Sequence, residues 1–171
     1  MFIAEIYESF QGEGPWAGTP SLFIRTSGCN LRCRFCDTPY TSWQPEGQQQ
    51  SLEKLAAAIQ AAAAEHVVIT GGEPMLAAQL TELTEICRDA RRTITIETAG
   101  TVDRSVECDL MAISPKRPNS APDDTHDYIY ISPHTMVGNI RPLALTNILD
   151  IALFNLIQHK MLRFILKKHI L

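Results

Sequence analysis

The sequence predicts an α/β fold, an incomplete (β/α) barrel with a mostly parallel sheet. Three observations predict it. Short runs of β-branched and apolar residues alternate with segments of helical periodicity, the pattern of right-handed βαβ crossovers. Each run ends in residues of unusual chemistry, and in parallel sheets function gathers at the C-terminal ends of the strands. The runs are also too few for a closed eight-unit barrel.

The elements follow in chain order. Met1 leads into an alternating segment, Phe2-Ile3-Ala4-Glu5-Ile6-Tyr7. Residues 19–27 (TPSLFIRTS) read as the first strand, and a cysteine-rich loop follows. Ser51 is placed to cap a helix over about 52–65, with Leu52, Leu55, Ala56 and Ile59 on one face. His66 to Thr70 (HVVIT) reads as a short buried strand ended by Gly71-Gly72. A helix over about 76–91 places Leu76, Leu80, Leu83 and Cys87 at helical spacing. Thr93 to Glu97, Asp109 to Ser114 and Tyr128 to Ser132 supply three further strand candidates. The loop cysteines, Thr70-Gly71-Gly72-Glu73-Pro74, Glu97-Thr98-Ala99-Gly100-Thr101 and Ser114-Pro115-Lys116 then fall on one edge of one sheet and describe a single site.

With 171 residues, 45% hydrophobic and 20% charged, the chain suits one compact domain with a real core. A net charge of −4 excludes an overall basic field for nucleic acid. Lys160, Arg163, Lys167 and Lys168 nevertheless crowd the last twelve residues without an acid. No basic segment and apolar run open the chain as a signal peptide would, so the expected compartment is the cytoplasm. Thiols stay reduced there, and the five cysteines read as ligands or core residues.

Three of those cysteines share one loop, Gly28-Cys29-Asn30-Leu31-Arg32-Cys33-Arg34-Phe35-Cys36-Asp37, spaced C-x3-C-x2-C. Three thiolates so placed reach three corners of a [4Fe–4S] cubane and leave the fourth iron without a protein ligand. An open iron chelates the amino and carboxylate groups of S-adenosylmethionine (SAM), and electron transfer into the sulfonium then yields a 5′-deoxyadenosyl radical. The competing reading is zinc, which wants four tetrahedral ligands, often as two separated pairs. Cys87 on a helix face and Cys108 before a strand look like core, and neither belongs to a second pair. The glycines of Gly71-Gly72-Glu73-Pro74 do not match a phosphate loop, but they let a ligand approach bare backbone.

Residues 5–43, EIYESFQGEGPWAGTPSLFIRTSGCNLRCRFCDTPYTSW, carry a more specific likeness. Gln11-Gly12-Glu13-Gly14, Arg25 and Asp37-Thr38 make the chain resemble the 7-carboxy-7-deazaguanine synthases, radical SAM enzymes of queuosine and deazapurine biosynthesis. The likeness runs from about Ile3 to about Pro122 and implies a barrel of the radical SAM type. It implies ring contraction of 6-carboxy-5,6,7,8-tetrahydropterin to 7-carboxy-7-deazaguanine with release of ammonia, a carbon–nitrogen lyase reaction. The radical takes hydrogen from C6, Mg²⁺ assists, and SAM is regenerated.

Residue roles follow from the same likeness. It implies pterin contacts from Phe10, Gln11, Gly12, Arg25 and Thr70, with Arg25 on the substrate carboxylate. It implies SAM contacts from Phe35, Cys36, Asp37, Gly72, Ser114, Pro115 and Lys116, and cluster ligation by Cys29, Cys33 and Cys36. Thr38 falls at the Mg²⁺ position, and Thr98 is a further pocket candidate. Lys116 reads nearly as well as an exposed loop lysine, and Arg25 has the alternative of a surface arginine at a strand end. The implied partners are the pterin, an electron donor such as flavodoxin or ferredoxin, and a second copy in a homodimer. Direct nucleic-acid and membrane partners are not expected.

After residue 122 the likeness fades, which divides the chain into a radical SAM core over 1–122 and a divergent C-terminal segment over 123–171. Residues 143–171 are apolar on nearly all faces and as one helix would span about 43 Å. Three readings compete: a shortened native closing segment, an interface helix, or a truncated or frame-altered tail. The last is the favoured expectation, and it puts late substrate contacts in doubt. Asp150, Asn155, Gln158, His159 and Lys160 interrupt a membrane span. Two other functions stay open: a radical SAM activase acting on a protein partner, and an inactive cluster-binding remnant.

Overall fold

The computed structural model describes residues 1–116 and residue 120. The strand candidate at 128–132, the domain boundary near 122 and the tail helix from about 143 lie outside the described residues.

Among the described residues, six strands form one open mixed sheet in the order β3-β1-β2-β4-β5-β6. They are β1 (Phe2–Phe10), β2 (Pro20–Thr26), β3 (Gln48–Gln49), β4 (His66–Gly71), β5 (Thr93–Thr98) and β6 (Leu110–Ile113). β2, β4, β5 and β6 run parallel, in the order expected of successive crossovers. Two helices cross over between parallel strands, α1 (Leu52–Ala61) before β4 and α2 (Leu80–Asp89) before β5.

The sequence reading differs at the start of the sheet. The strand at 20–26 is the second, because Phe2–Phe10 already forms a strand antiparallel to it. β3 adds two antiparallel pairs on the outer side of β1. An edge hairpin of this kind leaves one face wet, so most of β1 is exposed and gives only a weak apolar signal.

Both helices are shorter than their periodicity suggests. Ser51 does cap α1, accepting the Lys54 N–H on its side chain at 3.4 Å. The helix nevertheless stops at Ala61, where the Arg92 guanidinium donates to the carbonyls of Ile59 at 2.8 Å and Ala62 at 3.1 Å. A cation on the last carbonyls suits the negative end of the helix. α2 begins only at Leu80, since Pro74–Leu76 is a separate 3₁₀ turn. Leu76 therefore leaves the helical stripe and is exposed, while Leu80, Leu83 and Cys87 are fully buried.

Period-two alternation divides the sheet into two faces. Leu22 and Ile24, Val67 and Ile69, Ile94 and Ile96, and Met111 pack against Leu55 and Ile59 of α1 and Leu80, Leu83 and Cys87 of α2 in one core. The intervening residues Phe23, Arg25, His66, Val68, Thr70, Thr95 and Glu97 take the other face. That face carries polar chemistry, and most of it is still buried.

Candidate functional site

The site is built where β2, β4, β5 and β6 end. The chain leaves β2 at Thr26 and enters the cysteine loop, whose base rests on the turn after β4. Gly72 donates its N–H to the Thr26 carbonyl at 3.1 Å, and Glu73 donates to the Gly28 carbonyl at 2.9 Å. Gly28 in turn donates to the Thr41 carbonyl at 2.8 Å, which closes the loop on itself.

This crossing explains the paired glycines. Gly71 has φ +125°, a region that favours glycine. A Cβ on Gly72 would meet the Gly28 carbonyl oxygen at 2.1 Å and the Thr41 oxygen at 2.8 Å. Gly71-Gly72 is thus first a seat for the cysteine loop. Gly72 remains half-buried beside that loop, compatible with ligand contact.

Glu73 is 1% exposed, and its carboxylate is fully engaged. Oε1 accepts from the Thr98 hydroxyl at 2.7 Å and the Met75 N–H at 3.0 Å, and Oε2 accepts from the Ala99 N–H at 2.9 Å. A buried acceptor with three donors is a strong clamp. It joins the end of β4 to the end of β5, so Thr98 is a structural partner of Glu73. The Asn30 side chain bonds the Thr101 hydroxyl at 3.0 Å, tying the cysteine loop to the β5 turn as well. Ser114 N–H reaches the Thr98 carbonyl at 2.9 Å and adds the end of β6. All four strand ends named by the sequence are therefore joined by hydrogen bonds.

Cys33 is buried, and Cys29 and Cys36 are half-buried. Cys29 Sγ accepts from the Leu31 N–H at 3.3 Å, and Cys36 Sγ lies 3.8 Å from the Thr38 hydroxyl. Burial pushes the Cys29 thiol pKa up, against the donors that face it. Among the described residues no three His, Cys, Asp or Glu side chains converge as the ligands of one metal ion would. Cys87 and Cys108 sit in the core, with burial pushing their thiols up to about 12 and about 11. They are not available as a second pair for zinc. The donor set is three thiols on one loop, and that set fits a [4Fe–4S] cluster with one open iron.

The polar face of the sheet runs up to this loop, since Arg25 directly precedes Thr26, where the loop begins. Arg25 is in register with Thr70 on β4, and Thr70 is 8% exposed. Gln11 is buried and donates from Nε2 to Glu97 Oε1 at 2.9 Å, while its own Oε1 accepts from the Gly12 N–H at 2.7 Å. One glutamine thus shapes the loop after β1 and fastens it across to β5. Arg25 donates from Nε to Glu5 at 2.7 Å and from Nη2 to the Tyr7 hydroxyl at 2.7 Å. Its pKa is raised: burial works downward, and Tyr7, Tyr40 and Glu5 together outweigh it.

Other sequence candidates are less enclosed. Phe10 and Phe35 are 69% and 66% exposed. Gly12, Asp37, Ser114 and Pro115 are exposed, and Lys116 donates to the Ser114 hydroxyl at 2.7 Å. Among the described residues, none of them is hydrogen-bonded to the Arg25 or Thr70 side chain. Glu73, Glu5, Tyr7 and Tyr40 were not among the sequence candidates. Glu73 carried a signal, an acid directly after a buried strand. Glu5 became legible only with the register of β1 against β2, which sets it opposite Arg25.

The family model of the radical SAM superfamily matches residues 23–136, two thirds of the chain. The chain belongs to the radical SAM superfamily. That membership implies a [4Fe–4S] cluster and SAM. This radical SAM protein is 53% identical over 123 residues to the 7-carboxy-7-deazaguanine synthase of Rhodopirellula baltica, covering 72% of this chain and 48% of that relative. It is 46% identical over 121 residues to that of Halobacterium salinarum, covering 70% and 47%. The crystal structure of QueE from Escherichia coli superposes with a TM-score of 0.62 at 30% identity, covering 80% of this chain and 66% of that one. The chain spans about half the length of the curated relatives it matches. Among the described residues no helix is long and apolar enough to cross a membrane.

Proposed function

We propose that this radical SAM protein contracts the ring of 6-carboxy-5,6,7,8-tetrahydropterin to 7-carboxy-7-deazaguanine with loss of ammonia, as a carbon–nitrogen lyase of queuosine biosynthesis. The observation that carries the reading is the placement of Arg25, Thr70 and the Gln11–Glu97 pair on one polar sheet face, with the three-cysteine loop leaving the same sheet directly after Thr26. The names of the relatives support the same product and do not favour the activase alternative.

In this reading Cys29, Cys33 and Cys36 hold the cluster, and Phe35, Asp37, Gly72, Ser114, Pro115 and Lys116 form the SAM side. When bound, the cluster and SAM supply the radical that takes hydrogen from C6 of the pterin. Arg25 holds the carboxylate, and Phe10, Gln11, Gly12 and Thr70 orient the rings. Thr38 contributes a hard oxygen to Mg²⁺, which needs few protein ligands when substrate and water fill its shell. Its hydroxyl lies within 3.4 Å of Asp37 Oδ1 and 3.5 Å of the Thr41 hydroxyl, so it is turned towards oxygen neighbours. The partners of the reading are a one-electron donor such as flavodoxin or ferredoxin and a second copy of the chain, in the cytoplasm.

The test is anaerobic reconstitution followed by turnover of the carboxytetrahydropterin with and without Mg²⁺. Product formation that Mg²⁺ stimulates is expected, and Thr38→Ala should lose most of that stimulation at unchanged iron content. Cluster-loaded protein that cleaves SAM but leaves the pterin untouched would defeat the substrate assignment.

A further inference from the structure

Abstraction at one ring carbon requires the carboxylate anchor and the cysteine loop to keep a fixed spacing, since a displacement of about 1 Å can cost on the order of 100-fold in rate. Arg25 lies on β2, whereas the loop beyond it is irregular backbone. On the functional reading above, we propose that Glu5 and Tyr40 are positioning residues that lock the substrate-binding arginine to the cysteine loop.

Glu5 is the cross-strand partner of Arg25. A single oxygen, Glu5 Oε2, accepts from Arg25 Nε at 2.7 Å and from the Tyr40 hydroxyl at 2.8 Å. Tyr40 stands in the turn Pro39–Thr41, two residues after Thr38 and four after Cys36. The same turn holds the base of the loop, through the Thr41 carbonyl and Gly28. Arginine and loop therefore share one carboxylate oxygen. From the neighbouring Nη2 Arg25 donates to Tyr7, whose ring stacks on Phe23 at 5.2 Å and 7°.

These bonds also select how a carboxylate binds. Nε and Nη2 form the side edge of the guanidinium, and Glu5 and Tyr7 occupy it. Nη1, on the end edge, has no hydrogen-bond partner among the described residues. A planar fork held on its side edge presents the end edge in one orientation. The substrate carboxylate binds there, with Glu5 still in place. Glu5 is exposed and Tyr40 half-buried, so the contact adds little to folding stability. Its consequence is geometric.

The experiment compares reconstituted wild type, Tyr40→Phe and Glu5→Gln. It follows product, 5′-deoxyadenosine and amide hydrogen exchange of residues 36–46 in the metal-free protein. Tyr40→Phe keeps the Arg25–Glu5 pair, so KM for the pterin should stay within about two-fold. Its kcat should fall on the order of 10-fold, with more 5′-deoxyadenosine released per product. Glu5→Gln should add a raised KM, because Arg25 loses its orientation. In both variants the loop amides should exchange faster at an unchanged urea midpoint. Wild-type kcat and product ratio in Tyr40→Phe would overturn the proposal. If the wild type does not turn over the pterin, the substrate reading fails separately. Loop exchange then decides the lock, which unaltered exchange in both variants refutes.

Discussion

At the residue scale the site depends on atoms that are missing as much as on side chains. Gly72 has no Cβ, and the Gly28 carbonyl passes through the space that one would fill. The obstructing atoms are backbone, which cannot rotate away as a side-chain tip can. Gly72→Ala must lift the cysteine loop from the sheet or distort both strand ends. Overpacking of this kind costs about 1–3 kcal/mol, and here it strikes the ligand loop directly. The expected result is a lower urea midpoint together with a marked loss of iron after anaerobic reconstitution. A variant with full iron and unchanged stability would show that the loop is not seated on this glycine. Gly71-Gly72 was conspicuous in the sequence, but only as a place for close ligand approach. The crossing of Gly28 over Gly72 is a contact between residues far apart in the chain, and no local pattern encodes it.

At the element scale, crossovers and strand ends were legible because the parallel strands are apolar runs bounded by glycine and polar residues. β1 was not, because this antiparallel strand near the sheet's edge buries little beyond Ile3 and leaves its remaining length exposed. The stop of α2 was also hidden. Arg91 takes φ 56° there, with Arg92 N–H bonded to the Cys87 carbonyl and Arg91 N–H to that of Arg88. This is a Schellman ending with arginine where glycine is usual. A left-handed conformation costs an L-residue about 1–2 kcal/mol, partly offset by the backbone entropy glycine loses. Arg91→Gly should raise stability by about 0.5–1 kcal/mol, seen as a higher urea midpoint. A lower midpoint would mean that Arg91 makes compensating contacts.

A second element-scale prediction concerns His66, which links three parallel strands. Its Nδ1 bonds the Ser21 hydroxyl at 2.7 Å and its Nε2 the Thr95 hydroxyl at 2.8 Å. Burial lowers its pKa, although Asp109 and Glu97 pull the other way. The unfolded chain therefore takes up a proton first as pH falls through about 6.5. His66 leaves stability intact above that value. It lowers stability between there and its own depressed pKa, by at most about 1.4 kcal/mol per pH unit. Urea midpoints of metal-free protein at pH 7.5 and 5.5 should differ in this sense. The slope should flatten in His66→Gln, and an identical slope in that variant would remove His66 as the cause.

At the scale of the whole molecule, the four parallel strands are joined twice, by their ladders and again by the bonds beyond their ends. Glu73 spans β4 and β5, Asn30 and Thr101 join the cysteine loop to the β5 turn, and Ser114 closes β6 onto Thr98. A ligand that orders the cysteine loop therefore acts on the sheet through several anchors, and its binding free energy becomes folding free energy. SAM at 100 times its dissociation constant should add about 2.7 kcal/mol if it binds only the folded protein. Stepwise melting should then rank metal-free protein lowest, cluster-loaded protein higher, and cluster-loaded protein with SAM highest. Near- and far-ultraviolet signals should move together, because loop and sheet share their bonds. Cys33→Ala should abolish both increments, whereas Cys87→Ala should lower every melting temperature and keep the spacing between them, since Cys87 packs in the core away from the loop. Separate transitions for loop and sheet on loading would show that the strand-end bonds do not couple them.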